Sequence, residues 1–97
     1  MAYIHITTTT GKTVEDFRAV SAKLSPPQDT DGLLVQAAGS DSSGLHVVSV
    51  WQSKAHAERF EAEQLFPAFQ ALGMLQGIQE GTVFTMYEAD EVYIRGQ

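Results

Sequence analysis

The sequence predicts an α+β fold in which four strands and two helices follow one another in the order βαββαβ. Three observations support this prediction. Short segments rich in aromatic and β-branched residues alternate with two segments of helical periodicity, and clusters of glycine and proline separate them. The chain of 97 residues is also short enough for one compact domain. We therefore expect residues 1–97 to form a single domain.

The first strand and the first helix are predicted at the start of the chain. Tyr3 to Thr9 is rich in aromatic, Ile and Thr residues, which suit a pleated strand, and Gly11-Lys12 follows as a turn. Thr13 is the expected helix N-cap, with Asp16 at the capping-box position. The helix is expected to end before Pro26. One face of this amphipathic helix carries Val14, Phe17, Val20, Ser21 and Leu24.

A hairpin is predicted in the middle of the chain. Pro26 to Gly32 is full of turn formers and cannot continue a helix. Leu33 to Ala38 and Leu45 to Trp51 are then two strands, joined by the turn cluster from Gly39 to Gly44. The second of these strands is almost continuously apolar, which predicts burial on both of its faces.

The second helix is predicted to change direction within its length. Ser53 caps it, but a straight helix from Lys54 to Leu72 would place Phe60 nearly opposite Phe69. Pro67 lies between them, and a proline in a helix interior clashes with the carbonyl group four residues earlier. We therefore expect a kink at Pro67 that lets the two halves bury different faces.

The last strand completes the order βαββαβ. Gln76 to Gly81 is predicted as an irregular segment, Thr82 to Tyr87 as a strand, and Val92 to Ile94 as an edge strand or an arm onto a partner. This order is that of the ferredoxin-like split unit, in which one sheet face carries both helices. The other face then needs a cover, so we expect a homodimer.

Composition excludes several classes of function. A net charge of −6 leaves no basic stripe for nucleic acid, and the absence of cysteine excludes disulfides and thiolate chemistry. The sequence shows no signal peptide and no apolar stretch long enough for a bilayer, so we expect a cytoplasmic protein without a membrane partner. No metal-ligand spacing and no phosphate-binding loop are present, so neither a metal nor another cofactor is expected.

His5 is the candidate catalytic residue. It lies between Ile4 and Ile6 in the first predicted strand, where a polar side chain must find a partner or line a cavity. Two interpretations are open: a hydrogen-bonded structural histidine, or a general base whose ordinary pKa, about 6.5, suits proton abstraction.

Other polar residues of the predicted strands are candidates for binding a polar ring substituent. Exposure at a sheet edge or pairing across a dimer would explain them equally well. Trp51 is interpreted as a packing anchor that forms a hydrogen bond through its indole, and His46 and His56 as surface residues. The proposed substrate-binding residues are Thr7, Gln36, Ser49, Phe60 and Tyr87.

A strand that ends in Trp51, followed by Ser53 and a helix containing Phe60, resembles the dimeric α+β barrel superfamily, which includes the antibiotic biosynthesis monooxygenases. This resemblance implies that two sheets pack face to face in a homodimer. It also implies a pocket in each subunit between sheet and helices, lined by the first strand, the third strand and the second helix.

Within that superfamily, the sequence departs from the haem-degrading branch at three positions. Gln70 stands where that branch has its histidine ligand, Phe60 where it has a tryptophan, and Thr7 to Thr10 offer no asparagine. The leading hypothesis is a protein that binds a small apolar or aromatic molecule and acts as a cofactor-independent monooxygenase on an aromatic or polyketide-like substrate. The alternatives are a non-catalytic ligand-binding or structural dimer, and an isomerase or cyclase on the same fold.

Overall fold

The computed structural model describes residues 1–74, 76 and 80–96 of the chain. Four antiparallel strands form one sheet in the order β2-β3-β1-β4. This arrangement confirms the predicted α+β, ferredoxin-like fold. The strands are β1 (Tyr3–Thr9), β2 (Leu33–Asp41), β3 (Gly44–Trp51) and β4 (Thr82–Glu88), and the helices are α1 (Val14–Ser21), α2 (Lys54–Phe60) and α3 (Phe66–Ala71).

The pairing register sorts the strand residues onto two faces of the sheet. Tyr3 pairs with Trp51 and His5 pairs with Ser49, so these four side chains share the face that carries the helices. All four are buried. The opposite face, which we call the outer face, is open in the single chain. Val48 is 37% exposed and Val83 67% exposed there, so the predicted burial on both faces is not achieved within one chain.

The hairpin is longer than the sequence predicts. β2 continues through Gly39 to Asp41, which pairs with Gly44, because the ladder with β3 compensates for the poor strand propensity of Gly, Ser and Asp. Gly44 has φ of +125°, and a Cβ atom there would overlap the carbonyl oxygen of Thr9. The turn between β2 and β3 therefore requires glycine at position 44.

The first helix ends earlier than predicted. The Asp16 carboxylate accepts a hydrogen bond from the Thr13 backbone N–H at 2.9 Å, as the capping-box position suggests. After Ser21, the chain turns more tightly, since the Lys23 N–H donates to the Val20 carbonyl three residues back. Leu24 still packs beside Val20, although it lies beyond the regular helix.

The change of direction in the second helix occurs before Pro67. Glu61–Leu65 forms a π-helical turn between α2 and α3, in which the Phe66 N–H donates to the Glu61 carbonyl five residues back. Pro67 has no N–H to donate to Glu63, which is compatible with this wider turn. A single π-helical turn rotates the residues that follow it relative to those that precede it. The two halves of the second helix do bury different faces, as predicted, and the π-helical turn is the cause.

Each half of the second helix covers its own hydrophobic cluster. The two clusters share no residue, so the core is divided rather than continuous. Under α2, the buried members are Tyr3, Trp51 and Ala57, with Leu33 and Phe60 packed against them. Under α3, they are Val20, Ala68 and Phe69, with Leu24, Leu65, Leu72 and Met74.

Two predictions concern the end of the chain. Part of the segment from Gln76 to Gly81 lies outside the described residues, but Gln76, Glu80 and Gly81 have helical rather than irregular backbone. Val92 to Ile94 forms no strand in this chain, so the predicted edge strand is absent there. Within the described ranges, the structure contains no helix of the length and apolarity that a membrane crossing requires.

Candidate functional site

A cavity of about 110 Å³ lies between the helix-carrying face of the sheet and the helices. All four strands and both parts of the second helix contribute to its wall. The structure brings five of the six residues proposed from the sequence to this cavity. They are His5, Thr7, Gln36, Ser49 and Phe60.

Tyr87, the sixth proposed residue, lies elsewhere. It pairs with Ile4, whose side chain is directed to the outer face, and it is not part of the cavity wall. The sequence does not reveal this difference, because period two assigns a strand residue to a face only when the register between strands is known. The structure therefore separates Tyr87 from His5 by the thickness of the sheet.

The polar residues of the cavity form a row across three neighbouring strands. Gln36 pairs with Ser49, and Ser49 pairs with His5, so their side chains project side by side from the same face. Ser49 and His5 are both buried, and Gln36 is half-buried. A row of this kind gives a bound molecule hydrogen-bonding partners on one side, with apolar walls around it.

His5 is the most strongly constrained polar residue of this row. Its residue exposure is only 8%, and its Nδ1 atom lies 3.3 Å from the Glu61 Oε1 atom. Its Nε2 atom is buried and has no hydrogen-bond partner within the described part of the chain. The Phe84 ring stacks on the imidazole with a centroid separation of 5.8 Å. One nitrogen of His5 therefore faces a carboxylate, and the other is enclosed and unpaired.

Burial changes the ionisation of both members of this contact. Desolvation lowers the pKa of His5, because the imidazolium form loses more hydration energy than the neutral form. Desolvation also raises the pKa of Glu61, and the nearby negative charge of Glu58 adds to this increase. Both shifts favour neutral forms, so the proton affinities of the two groups approach each other.

Glu61 is a site residue that the sequence analysis missed. In a straight helix the residues on the same face as Phe60 are three or four positions away from it, so nothing places the adjacent Glu61 beside β1. The π-helical turn begins at Glu61 and changes the direction of the residues within it. The only sequence signal for Glu61 is that it is an acidic residue and directly follows the proposed pocket residue Phe60.

Aromatic side chains supply the apolar walls. The Trp51 and Phe60 rings lie 5.0 Å apart at an interplanar angle of 42°, and both border the cavity. Trp51 is 2% exposed, as its predicted role as an anchor requires. Its indole Nε1 atom, however, is buried without a hydrogen-bond partner among residues 1–74, 76 and 80–96, so the predicted indole hydrogen bond is not formed.

The other two histidines lie outside the cavity. His46 Nε2 lies 3.0 Å from Asp41 Oδ1, and its Nδ1 atom lies 3.1 Å from the Thr8 hydroxyl. Hydrogen bonds to Ser43, and to a smaller extent to His46, hold the pKa of Asp41 well below its usual range. His56 Nδ1 lies 2.7 Å from the Ser53 hydroxyl at the start of α2. Both histidines therefore support local structure at the hairpin and at a helix cap.

The acidic and histidine side chains of residues 1–74, 76 and 80–96 are not arranged as a metal centre. No group of three or more His, Asp or Glu residues in the described ranges could hold a metal ion. The titratable groups that border the cavity are His5, Glu61, Asp16 and Lys12. The arrangement is suited to binding a small molecule and to moving one proton between it and the wall.

Comparison with known proteins gives matches among solved structures only. No protein-family profile and no curated protein sequence matches the chain. One similar structure is a protein provisionally assigned as an antibiotic biosynthesis monooxygenase from Deinococcus radiodurans, with 21% identity, coverage of 99% of this chain and 100% of that chain, and a TM-score of 0.61.

Two further structures are described as oxygenases of Streptomyces species. A monooxygenase from Streptomyces coelicolor, solved with the ligand nanaomycin D, has 13% identity, 98% and 92% coverage of the two chains, and a TM-score of 0.60. A cofactor-independent oxygenase from Streptomyces nogalater has 13% identity, 94% and 93% coverage, and a TM-score of 0.56. At these identities the likeness concerns the fold, and along nearly its whole length the chain has the fold of the antibiotic biosynthesis monooxygenase-like proteins.

Proposed function

We propose that the chain is a homodimeric protein that binds a small aromatic molecule in the cavity and oxygenates it without a cofactor. The observation that carries this proposal is the buried His5, which borders the cavity and has a carboxylate on one side and an unpaired nitrogen on the other. The likeness in fold to a cofactor-independent oxygenase supports the same reaction class.

In the proposed reaction, His5 takes the hydroxyl proton of an electron-rich phenol. The phenolate gives one electron to molecular oxygen, and the two radicals combine at a ring carbon that carries hydrogen. The resulting peroxide anion takes the proton back from the His5 imidazolium and becomes a hydroperoxide. The hydroperoxide loses water and leaves a quinone, so the phenol and oxygen account for all atoms and electrons. Because burial lowers the pKa of His5, the imidazole is neutral and able to accept a proton at neutral pH.

The size of the cavity limits the substrate. Its volume of about 110 Å³ is below the range of roughly 300 to 1,000 Å³ that is usual for drug-sized ligands. An engineered protein cavity of about 150 Å³ binds benzene. We therefore propose a substrate of about one aromatic ring, such as a substituted phenol, rather than a polycyclic polyketide.

Oxygen consumption tests the proposed reaction. The wild-type protein would be screened with a panel of substituted phenols, and the uptake rate would be compared with that of His5→Ala. We expect the variant to lose roughly 100-fold or more of the rate, because it lacks the proton acceptor. His56→Ala, which changes a histidine outside the cavity, is the matched control and should retain most of the rate. Equal uptake by wild type and His5→Ala would remove His5 from the mechanism.

The open outer face supports the dimer. Its apolar side chains come from strands across the whole sheet. They include Val35 on β2, Val48 on β3 and Val83 on β4, which are 39%, 37% and 67% exposed in the single chain. A contiguous apolar sheet face of this kind is rarely left in water. We propose that the outer face of a second copy covers it, which would complete a dimeric α+β barrel from two single-domain chains. A cytoplasmic location stays a prediction from the sequence.

A non-catalytic ligand-binding or structural dimer is the second candidate function. The modest cavity volume favours it, since a largely filled interior leaves less room for a substrate and oxygen together. An isomerase or cyclase would use the same cavity without oxygen. Turnover measured with and without oxygen separates these candidates: turnover that persists in its absence would favour an isomerase or cyclase, and no turnover of any compound would favour the non-catalytic dimer.

A further inference from the structure

We propose that Glu61 is a positioning residue for His5: its carboxylate accepts the Nδ1–H group of the imidazole and leaves Nε2 as the nitrogen that takes a proton from the substrate. This inference rests on the proposed function, because it assigns the partner of the residue that acts there as the base. It makes the two residues a functional pair contributed by β1 and by the π-helical turn.

The contacts around His5 single out Glu61. The distance from His5 Nδ1 to Glu61 Oε1 is 3.3 Å, and among the described residues no other acidic or basic side chain lies within ion-pair range of His5. The neighbours of His5 across the sheet are Ser49 on β3 and Met86 on β4, neither of which carries a charge. At this distance the two groups are within ion-pair range but do not form a hydrogen bond in the structure. Catalytic contacts that are long or poorly aligned in the free enzyme tighten in the complex with the substrate.

The backbone explains how an acidic residue reaches this position. Glu61 is the first residue of the π-helical turn, and its carbonyl accepts the five-residue hydrogen bond from Phe66. π-helical turns are rare and often occur at functional sites, because they redirect a side chain without ending the helix. In this chain the turn brings one carboxylate against the buried face of the sheet.

A carboxylate on Nδ1 has two effects on an imidazole base. It selects the neutral tautomer with the proton on Nδ1, so that Nε2 keeps its lone pair. It also stabilises the imidazolium that forms when Nε2 receives a proton, as the acidic member of a catalytic triad does. Burial strengthens both effects, because opposite charges attract more strongly where water is excluded.

Other charged groups around the cavity do not perform this role. Asp16 already accepts a hydrogen bond from the Thr13 backbone at the start of α1. Lys12 is a cation and cannot accept the Nδ1 proton. The Glu58 carboxylate lies 3.8 Å from the Lys54 Nζ atom on the exposed part of α2. Glu58 acts on the pair only through its negative charge, which adds to the increase in the pKa of Glu61.

Substrate access to Nε2 requires a side-chain movement. Nε2 is enclosed in the unliganded protein, and the Phe84 ring stacks on the imidazole. Phe84 is itself 45% exposed and borders the cavity, so its rotation would uncover His5 without disturbing the core. The two residues therefore face each other before the substrate arrives, and the entering ring takes the place of Phe84 beside His5.

Nuclear magnetic resonance of protein labelled with ¹⁵N-histidine tests this inference without any substrate. Long-range proton–nitrogen correlations distinguish the two neutral tautomers, and a spectrum of His5→Gln assigns the His5 signals. We expect wild-type His5 to carry its proton on Nδ1 when neutral. A neutral His5 with its proton on Nε2 would overturn the inference.

Two substitutions at Glu61 separate charge from hydrogen bonding. Glu61→Gln keeps an accepting oxygen but loses the negative charge, so the His5 titration midpoint should fall and the Nδ1–H tautomer should persist. Glu61→Leu removes the acceptor as well, so the tautomer should also shift toward Nε2–H. Glu58→Gln removes an equal charge from the same helix and should leave the His5 tautomer unchanged. If Glu61→Leu left both the tautomer and the midpoint of His5 unchanged, Glu61 would have no positioning role.

Kinetics then connect the pair to the reaction. With an accepted phenol, Glu61→Leu should lower kcat/KM by roughly 10- to 100-fold and shift the acidic limb of its pH profile. If the spectra show the expected pair but no compound is turned over, the proposed oxygenase function fails while the pair stands. If turnover depends on His5 but Glu61→Leu has the same pH profile of kcat/KM as wild type, the positioning role of Glu61 is wrong while the proposed oxygenase function stands.

Discussion

At the scale of single residues, the site depends on a histidine that the fold holds away from water. His5 occupies a strand position between Ile4 and Ile6, where a structural histidine would be fully hydrogen-bonded. In the structure one of its ring nitrogens is buried without a partner in the described part of the chain. An unpaired buried nitrogen lowers stability, and this cost is more readily explained by a ligand-binding role than by packing alone.

The lowered pKa of His5 predicts how stability depends on pH. Below the ordinary histidine value of 6.5, the unfolded chain binds a proton at His5 that the folded chain resists, so stability should fall with decreasing pH until the folded pKa is passed. We expect wild type to lose more unfolding free energy than His5→Asn between about pH 7.5 and about pH 5.5.

Denaturant titrations of both proteins at each pH measure this difference. The raised pKa of Glu61 acts in the opposite direction, since its contribution to stability is lost as pH rises above the ordinary carboxyl value. The pH dependence of unfolding with and without His5→Asn should therefore also be compared in the Glu61→Gln background, which removes that opposing contribution. Parallel pH profiles of wild type and His5→Asn would show that the folded pKa of His5 is not lowered.

At the scale of elements, two local features decide how the strands and helices meet. The π-helical turn Glu61–Leu65 allows α2 and α3 to cover separate clusters and brings Glu61 to the sheet. In the hairpin, Gly44 allows β3 to begin directly against the end of β1, because a larger residue would overlap Thr9. Both features are departures from regular backbone that tertiary packing maintains.

The hairpin predicts a strong contrast between two glycines. Gly44→Ala should lower the unfolding free energy by about 2 kcal/mol or more, since φ is +125° and the added methyl group meets the Thr9 backbone. Gly39→Ala is the matched control in the same hairpin, because a Cβ there meets no atom within 4 Å. Gly39→Ala should change the unfolding free energy by no more than about 0.5 kcal/mol. Chemical denaturation measures both values, and equal effects would contradict the steric argument.

At the scale of the whole molecule, the open outer face is the dominant feature. Its central strands β1 and β3 carry Ile6 and Val48 as direct cross-strand neighbours, with Ala37 of β2 beside Val48. The helices cannot cover this face, because they already cover the other one. The outer face is consequently the surface on which the proposed dimer depends.

Sedimentation equilibrium at micromolar concentration tests the dimer. The wild-type protein should have twice the chain mass of 10.6 kDa. Val48→Glu should sediment as a monomer, because it would bury a charge at the centre of the interface. Ala19→Glu adds the same charge on the exposed side of α1 and should remain a dimer. A monomeric wild type would refute the dimer, and a dimeric Val48→Glu would show that the interface lies elsewhere.

Much of the fold could be predicted from the sequence, because its signals are local. The aromatic, Ile and Thr residues of Tyr3 to Thr9 and the nearly continuous apolar run that ends at Trp51, together with the caps Thr13 and Ser53, are sufficient to predict the order βαββαβ. The conflict between Phe60 and Phe69 also showed that the second helix must bury two faces. The sequence points to Pro67 as the cause, since an inserted π-helical turn leaves no distinct sequence pattern.

The candidate site could be predicted only in part. His5, Ser49 and Gln36 were proposed as isolated polar residues in apolar strands, and the register brings them into one row. Tyr87 was proposed on the same grounds, but the pairing of β4 with β1 directs it to the outer face. By itself the sequence determined which elements form and which polar residues they carry, because these depend on near neighbours in the chain. Only the tertiary structure decided which of those residues meet, since the strand register and the π-helical turn that places Glu61 beside His5 depend on contacts between distant segments.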